Sequence, residues 1–242
     1  MRTLVTGGTR GIGAAVARRL AADGHDLVLG YARDDAAAAH TQAACRELGV
    51  DCTTVRADVT TDDGIESLFA AAGDLTGVVN NAGATLHIGT LADTPPDVVR
   101  ATVDLNLTSA LLVARAAVRV LGRSRGGAGG VLVNISSGAA TLGSPGEYVQ
   151  YAAAKAGVDA LTIGLAQEVA SDGVRVVGVA PGIIETTIHA DAGEPGRIER
   201  VGPLVPLGRT GRADEVANAV AWLLSDEASY VTGTTLRVAG GR

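Results

Sequence analysis

Tyr151 and Lys155 are the residues whose types and spacing most directly indicate chemistry. They stand four positions apart in Tyr-Ala-Ala-Ala-Lys, so on a helix the phenol and the ammonium share one face. A phenol is a weak base at neutral pH, and a fixed cation beside it lowers its pKa. Ser137 stands fourteen residues before Tyr151, and its hydroxyl can hold a substrate oxygen against the phenol. The three groups predict a proton-transfer site for a carbonyl or an alcohol, although a tyrosine and a lysine at this spacing also suit an ordinary helix surface.

The elements that must position these side chains follow an α/β pattern. Apolar strand-like runs alternate with helical patterns through all 242 residues, which predicts one domain with a parallel sheet and helices on both faces. The predicted strands are 3–6, 26–31, 52–57, 77–80, 131–135, 175–180 and 235–238. The predicted helices are 11–22, 35–48, 62–72, 95–121 (one helix or two in tandem), 148–171 and 213–224. The Gly- and Pro-rich segment 183–207 follows a predicted strand, where we expect a substrate-binding loop.

A glycine-rich segment joins the first predicted strand to the first predicted helix. Glycines in this position permit a tight turn and bring backbone N–H groups to a pyrophosphate at the helix N-terminus. Many turns are rich in glycine, but the strand–turn–helix context predicts a dinucleotide site. The residues expected to contact the cofactor here are Gly7, Thr9, Arg10, Gly11, Ile12 and Gly13.

The end of the second predicted strand indicates which dinucleotide binds. An NAD site usually has an acidic residue there to bind the ribose 2′-hydroxyl, but this chain has Tyr31 and then Arg33. Asp34 and Asp35 come later, where we expect them to cap the next helix. Arg10 and Arg33 can together hold a 2′-phosphate, which favours NADP(H) over NAD(H). The alternative is that both arginines are solvated surface charges.

Polar residues also follow the third and fourth predicted strands, at the ligand-binding edge of such a sheet. An aspartate there can accept a hydrogen bond from the adenine amino group, and a turn of small residues can approach the ribose closely. As isolated motifs both segments are equally compatible with ordinary turns. The candidates are Asp58, Val59, Asn80, Ala82 and Gly83.

Composition excludes several function classes. The formal net charge is −6, which disfavours binding to nucleic acid or to an anionic membrane. No apolar run suggests a membrane span, and no targeting segment is recognised at the N-terminus. The two cysteines, Cys45 and Cys52, lack neighbours at metal-ligand spacing, so we expect reduced packing residues, no metal site and a cytoplasmic location.

Taken together, these motifs resemble the short-chain dehydrogenase/reductase family over essentially the whole chain. The resemblance also includes Asn106 in Asp-Leu-Asn and Pro181-Gly182 with Thr186. Segments 144–148, 188–190 and 193–197 are similar to a bacterial branch that is glucose-1-dehydrogenase-like or 3-oxoacyl-reductase-like. The resemblance implies a Rossmann-type, doubly wound parallel sheet of about seven strands.

The resemblance also implies a role for each motif residue. Tyr151 is the general acid/base, and Lys155 lowers its pKa and holds the nicotinamide ribose. Ser137 binds the substrate oxygen, although the adjacent Ser136 is an alternative, because the serine usually precedes the tyrosine by thirteen residues. Asn106 holds a water that connects Lys155 to solvent. The nicotinamide end of the cofactor is contacted by Pro181, Gly182, Ile184 and Thr186.

The implied function is hydride transfer between NADP(H) and a small carbonyl compound or secondary alcohol, in a homotetramer built through the long helices and the C-terminal segment. Three alternatives stay open: a non-catalytic NADP(H)-binding sensor or scaffold, an NAD-linked sugar dehydrogenase, and another chemistry on the same fold, namely that of an epimerase, a dehydratase or an imine reductase.

Several other side chains are candidates for the substrate side. His87 and His189 are expected near the substrate, either as pocket-lining or as surface residues, whereas His25 and His40 are expected on the surface. Glu147 stands just before the catalytic helix and is expected to cap it or to contact a polar substrate. The expected apolar pocket walls are Leu142, Ile184 and Ile188, for which core packing is an equal explanation.

Overall fold

The strands of the computed structural model, which describes residues 1–242, follow the alternation that the sequence predicts. They are β1 (Arg2–Val5), β2 (Asp26–Tyr31), β3 (Cys52–Arg56), β4 (Gly77–Asn80), β5 (Gly130–Ile135), β6 (Val174–Pro181) and β7 (Thr235–Val238). All pair in parallel, in the order β3-β2-β1-β4-β5-β6-β7, which confirms the predicted doubly wound sheet. The predicted bounds of β3 and β5 are wrong by one residue at one end, and those of β1 and β6 by one residue at both ends.

The helices cover both faces of this sheet. They are α1 (Gly11–Ala22), α2 (Asp35–Arg46), α3 (Asp62–Ala72), α4 (Pro96–Val103), α5 (Ser109–Leu121), α6 (Ala139–Leu142), α7 (Val149–Val169), α8 (Ile188–Asp191), α9 (Arg197–Val201) and α10 (Ala213–Leu224). Helix α2 ends two residues before its predicted end, and α7 passes into a 3-10 turn at Ala170–Asp172. The segment 183–207 is not irregular throughout, because it contains α8, α9 and a 3-10 turn at Gly202–Leu204.

Helices α4 and α5 form one continuous helix, joined by a π-helical turn at Asp104–Thr108. The 26 residues Pro96–Leu121 are long and apolar enough to cross a membrane, so the expectation that no segment has such a length and composition is wrong. The apolar side of α5 instead packs in the protein core, where Val113, Ala117 and Leu121 are fully buried. The core of an α/β fold therefore accounts for this composition.

The core lies on both sides of the sheet, because successive strand residues point to opposite faces. Leu4 packs with residues of α3, α5 and α7, whereas the next residue, Val5, packs with residues of α1 and α10. Burying such a side chain stabilises the fold by about 1.5–3 kcal/mol. Cys45 of α2 and Cys52 of β3 belong to the α1 side and are buried free thiols.

The strand order determines where a ligand can bind. From β1 the chain winds outward to β3 and then returns to place β4 on the other side of β1. The loops that follow β1 and β4 therefore diverge, and they leave a crevice at the carboxyl edge of the sheet. The segments after β3, β5 and β6 reach the same edge, because every strand is parallel.

Candidate active site

A cleft of about 970 Å³ runs along this edge, near the upper end of the range for small-molecule sites. The structure brings nearly all predicted site residues together in its lining. Those residues are Gly7, Thr9, Arg10, Gly11, Ile12, Gly13, Tyr31, Arg33, Asp58, Val59, Ala82, Gly83, Ser137, Tyr151, Lys155, Pro181, Gly182, Ile184 and Thr186. Asn80 and Asn106 are the two predicted site residues that do not line the cleft.

The glycine-rich turn forms a cradle at the start of α1. Gly7 and Gly11 adopt left-handed backbone conformations, with φ of +60° and +51°. A Cβ atom on Gly13 would lie 2.1 Å from the carbonyl oxygen of Gly7, so only glycine permits this close turn. No side chain caps the N-terminus of α1, so the N–H groups of its first turn remain available to an anion. The cradle fits a pyrophosphate.

Asn81, which the sequence analysis did not select, ties the cradle to the loop after β4. Its Nδ2 atom donates to the carbonyl oxygens of Thr6 (2.9 Å) and Gly7 (3.1 Å), and its backbone N–H donates to the Thr6 hydroxyl. These bonds hold the two sides of the crevice in register.

The side chain of Asn80 is engaged in the core. Its Nδ2 atom donates to the carbonyl oxygen of Ala110 (2.9 Å) and to Oδ1 of Asn134 (3.1 Å), inside the core below the cleft. The contact of Asn80 with the cofactor stays a prediction, and only its backbone is free to make it. Strand alternation was the available signal, since adjacent asparagines at a strand end point in opposite directions.

At the far end of the cleft, the acidic residues after β2 are already engaged. Asp34 accepts a hydrogen bond from the backbone N–H of Ala37 (2.9 Å), which confirms that it caps α2. Asp35 accepts from the Tyr31 hydroxyl (2.9 Å). Arg33 is exposed, lines the cleft and has no ion-pair partner, and the guanidinium of Arg10 lies 3.8 Å from Asp191. The guanidinium groups of Arg10 and Arg33 therefore offer donors to an anion at this end, which Asp34 also lines.

Asp58 supplies the acidic group between these arginines and the crevice. Its Oδ1 atom accepts from the backbone N–H (3.0 Å) and the hydroxyl (2.7 Å) of Thr60. These hydrogen bonds hold the pKa of Asp58 below its usual value. The carboxylate is thus ionised and fixed at the cleft wall.

The predicted catalytic pair lies at the N-terminal end of α7. Tyr151 and Lys155 are both buried, and the ammonium lies 5.7 Å from the centroid of the phenol ring. Lys155 Nζ donates to the carbonyl oxygen of Ile135 at the end of β5 (2.8 Å). Ser136 and Ser137 both line the cleft, but the hydroxyl of Ser136 is buried and donates to the Lys155 carbonyl (3.3 Å). Ser137 is more exposed, and its hydroxyl acts to lower the pKa of Tyr151. The geometry therefore favours Ser137 over Ser136 as the partner of the tyrosine.

Burial controls the proton affinities of this pair. It raises the pKa of Tyr151 above its usual value, and the opposing effect of the Ser137 hydroxyl is too small to reverse this. Burial also lowers the pKa of Lys155 to about 8, against the charge of Asp159. Desolvation of the phenolate outweighs the favourable contacts in this structure, and the lowering of the Tyr151 pKa by Lys155 stays a prediction.

Asn106 lies in the π-helical turn and connects two segments behind the cleft. Its Nδ2 atom donates to the carbonyl oxygens of Thr102 (2.9 Å) and Ala84 (2.8 Å), and its Oδ1 atom accepts from the N–H of Ala84. A Cβ atom on Gly83 would lie 2.7 Å from Asn106 Oδ1 and 3.3 Å from Lys155 Nζ, so this glycine leaves space between them. The predicted water path from Lys155 through Asn106 stays a prediction.

Comparisons with known proteins agree with this site. A family model described as enoyl-(acyl carrier protein) reductase matches residues 7–242. The uncharacterized oxidoreductase YgfF of Escherichia coli (strain K12) is 42% identical over 243 residues, which cover 99% of this chain and 98% of that protein. The 3-oxoacyl-[acyl-carrier-protein] reductase FabG of the same organism is 40% identical over 244 residues, with coverages of 98% and 95%.

A solved structure extends the likeness to three dimensions. A short-chain dehydrogenase from Burkholderia cenocepacia J2315 in complex with NADP matches with a TM-score of 0.89 and 33% identity, and covers 99% of this chain and 96% of that one. The chain belongs to the short-chain dehydrogenase/reductase family. As a family member it is an oxidoreductase that uses a nicotinamide cofactor and acts on CH–OH or C=O groups of small molecules.

The substrate end of this dehydrogenase/reductase only partly matches the sequence expectations. Leu142, Ile184, Ile188 and His189 line the cleft as predicted, but His87 does not. His40 is exposed, as expected. His25 was expected on the surface but is buried, where its Nδ1 atom lies 2.9 Å from the Thr3 hydroxyl. Its position after α1, just before β2, explains the burial, because the ring packs against β1.

Beside Tyr151, the dehydrogenase/reductase contains a cluster of charged groups around a buried arginine, which the sequence did not predict. We call it the Arg197 cluster, and its members are Glu147, Tyr148, Glu194, Arg197 and Arg200. Arg197 is fully buried, bonds to Glu147 and Glu194, and donates to the Tyr148 hydroxyl (2.9 Å). Its guanidinium also lies 5.0 Å from the Tyr148 ring centroid, and that ring meets Tyr151 edge-on at 5.6 Å. Glu147 therefore binds Arg197. No side chain caps α7, so the expectation that Glu147 caps this helix is wrong.

Charge pairing sets the ionisation of this cluster. Burial favours the neutral form of Glu147, but hydrogen bonds and charge from Arg197 and Arg200 outweigh it, so the pKa of Glu147 is lowered. The same balance lowers the pKa of Glu194, and the two carboxylates raise the pKa of Arg197 despite its burial. Glu147, Glu194 and Arg197 are thus ionised at neutral pH. The cluster fixes α9 against the start of α7.

Proposed function

We propose that this chain is an NADP(H)-dependent reductase that interconverts a small carbonyl compound and its secondary alcohol, with Tyr151 as the general acid/base. The observation that carries the proposal is the position of Ser137, Tyr151 and Lys155 on one wall of the cleft that also contains the glycine cradle. A proton donor, an oxygen-binding hydroxyl and a dinucleotide site thus share one cavity.

The residues present fit a nicotinamide dinucleotide. The cradle of Gly7, Gly11 and Gly13 suits the pyrophosphate, and Thr186 lies beside Gly11, where it suits the nicotinamide carboxamide. Lys155 has three N–H donors but only one acceptor within the chain, the Ile135 carbonyl, so two donors remain for ribose hydroxyls. When bound, the nicotinamide supplies or accepts the hydride.

The side chains of the site manage the proton. Ser137 Oγ holds the substrate oxygen, and Tyr151 Oη donates its proton to that oxygen as negative charge develops on it. The raised pKa of Tyr151 keeps the phenol protonated at neutral pH, which suits reduction of a carbonyl. Lys155, with a pKa of about 8, carries its proton in most molecules at pH 7 and stabilises the phenolate. Asn106 Oδ1 retains one acceptor site, which supports its role in a water path for the replacement proton.

Preference for the phosphorylated cofactor is supported by the charges around β2. Asp34 and Asp35 already accept hydrogen bonds from the backbone N–H of Ala37 and from Tyr31, which makes them less suited to bind a ribose 2′-hydroxyl. Arg33 is unpaired and Arg10 only weakly paired, and two guanidinium groups suit a 2′-phosphate.

Assembly and location are also proposals. Leu111 of α5, Ile163 of α7 and Trp222 of α10 are large apolar side chains exposed on helix surfaces. These surfaces support the homotetramer that the family resemblance implies. The free thiols Cys45 and Cys52 support a reducing compartment, the cytoplasm.

The function is tested by comparing Tyr151→Phe with Tyr230→Phe, which changes a fully exposed tyrosine outside the cleft. NADPH and NADH binding are measured by fluorescence titration, and turnover by absorbance with ketones, aldehydes, 3-oxoacyl thioesters and aldoses. We expect Tyr151→Phe to lower kcat by about 10²–10⁴-fold, because the proton donor is lost, while NADPH binding persists and Tyr230→Phe behaves like wild type. Near-normal turnover of Tyr151→Phe would refute the assignment. Tight NADPH binding without turnover on any substrate would instead favour a sensor.

A further inference from the structure

We propose that His189 is a substrate-recognition residue, whose imidazole donates a hydrogen bond to an oxygen of the substrate other than the reacting carbonyl oxygen. This inference rests on the proposed function. It specifies the substrate as a carbonyl compound that carries a second acceptor oxygen.

The position of His189 supports this role. The residue belongs to α8, which follows the segment with Thr186, and it lines the same cleft as Tyr148 and Tyr151. Only 7% of His189 is exposed, so the ring is part of the cleft wall and not a mobile surface group. Apolar side chains, Leu142 and Ile188, form the wall beside it.

The imidazole has no hydrogen-bond partner within the chain. Its Nδ1 atom is sealed from solvent and unpaired, and no side chain or backbone group bonds to its Nε2 atom. The other buried histidine provides a contrast, because His25 Nδ1 pairs with the Thr3 hydroxyl at 2.9 Å. Buried polar groups are usually satisfied, so an unpaired ring at a cleft wall indicates that its partner is a ligand.

The protonation state identifies the kind of partner. Burial and the nearby charge of Arg197 lower the pKa of His189 to about 4, although Glu194 and Glu147 act in the opposite direction. The neutral ring carries one N–H, and placing it on the sealed Nδ1 would leave a donor without an acceptor. The proton therefore belongs on Nε2, which offers a donor to the cleft. The matching ligand group is an acceptor oxygen, such as a second carbonyl.

The surroundings limit the rest of the ligand. Leu86, Leu142 and Ile188 give the cleft apolar surface, with Ser144 and Tyr148 as polar neighbours in the lining, and Arg197 is neutralised by Glu147 and Glu194. A sugar would place some of its hydroxyl groups against the apolar side chains, at a cost in affinity. A mainly hydrocarbon compound with two oxygen functions fits the chemistry better than an aldose.

The kinetic test compares 2-hexanone with 2,3-hexanedione and 2,5-hexanedione, which share a chain length but differ in the presence and position of a second oxygen. The variants are His189→Leu, His189→Gln, which keeps an N–H donor, and His40→Leu as an exposed control. We expect His189→Leu to lower kcat/KM for at least one diketone about tenfold while that for 2-hexanone stays within about twofold. His189→Gln should recover most of the loss, and His40→Leu should have no effect. Equal losses on all three ketones, or no loss on either diketone, would overturn the proposal.

A binding measurement separates this inference from the proposed function. Tyr151→Phe protein loaded with NADP⁺ and labelled with ¹⁵N-histidine is titrated with each ketone. We expect the His189 Nε2–H resonance to shift with a diketone and to stay in place with 2-hexanone. An unchanged resonance with both diketones refutes recognition by His189, even where wild-type turnover is intact. If the wild-type protein has no turnover but the His189 resonance shifts with a diketone, the proposed reductase activity is refuted and the binding role of His189 stands.

Discussion

Among single residues, Arg33 has the clearest consequence for cofactor choice, because its guanidinium lines the cleft without an ion-pair partner. We expect Arg33→Ala to raise the Kd for NADPH about tenfold or more, since a charge-assisted contact to the 2′-phosphate is lost, and to leave the Kd for NADH within about twofold. Fluorescence titration of both cofactors measures the effect.

The control for this prediction is Arg125→Ala, an exposed arginine just before β5 at the opposite edge of the sheet. It should change neither Kd. Equal weakening of NADPH and NADH by Arg33→Ala, or tighter binding of NADH than NADPH by wild-type protein, would contradict the assigned preference.

The sequence predicts residue identity at the site better than residue environment. Tyr151 and Lys155 could be placed on one helix face because i and i+4 residues are neighbours on any helix. Their burial could not be predicted from spacing, and burial is what raises the pKa of Tyr151. His25 was misplaced for the same reason, because composition does not show which side of a loop faces the core.

At the scale of elements, the Arg197 cluster connects α9 to the start of α7. We expect Arg197→Met to lower the free energy of unfolding by about 3–5 kcal/mol, because two partly buried carboxylates lose their main partner. Amide exchange in 188–201 should accelerate. Urea denaturation and hydrogen-exchange mass spectrometry measure both effects.

The matched control is Arg200→Met, because Arg200 binds the same two carboxylates but is 53% exposed. Its loss should cost less than about 1 kcal/mol. The pKa values of Glu147 and Glu194 are lowered, so the stabilisation from the cluster should be lost as pH falls through those values. Equal destabilisation by the two variants would show that burial of Arg197 is unimportant.

Elements whose apolar residues recur with regular spacing could be predicted from the sequence, and elements held by contacts with distant residues could not. Helix α1 and helix α10 have the predicted bounds, since their apolar residues recur with helical spacing. Helix α9 was hidden among Gly193, Pro195 and Gly196, which normally mark turns. Its partner Glu147 is fifty residues away from Arg197, so no local pattern reveals the pair.

At the scale of the whole molecule, the exposed apolar surface of α5 and α7 bears on assembly. Ile163 and Leu48 are each 49% exposed, but only Ile163 lies on a long helix proposed to form the tetramer. We expect Ile163→Lys to reduce the mass found by sedimentation velocity from four chains to two or one, because a charge is placed in an apolar interface. Leu48→Lys, next to the end of α2, should leave the mass unchanged. A monomeric wild-type protein, or a tetrameric Ile163→Lys variant, would contradict the proposal.

The burial of Cys45 and Cys52 makes their thiol groups a probe of local opening in this protein. Both thiols are free and buried between α2 and β3, closed to solvent. A thiol-specific reagent can therefore react only when α2 separates from the sheet. The rate of thiol modification thus reports how often this opening occurs, without any added label. Helix α2 begins just after Arg33, so a bound dinucleotide that holds Arg33 should slow this opening, and the slower thiol reaction would report occupancy of the adenosine half of the cleft.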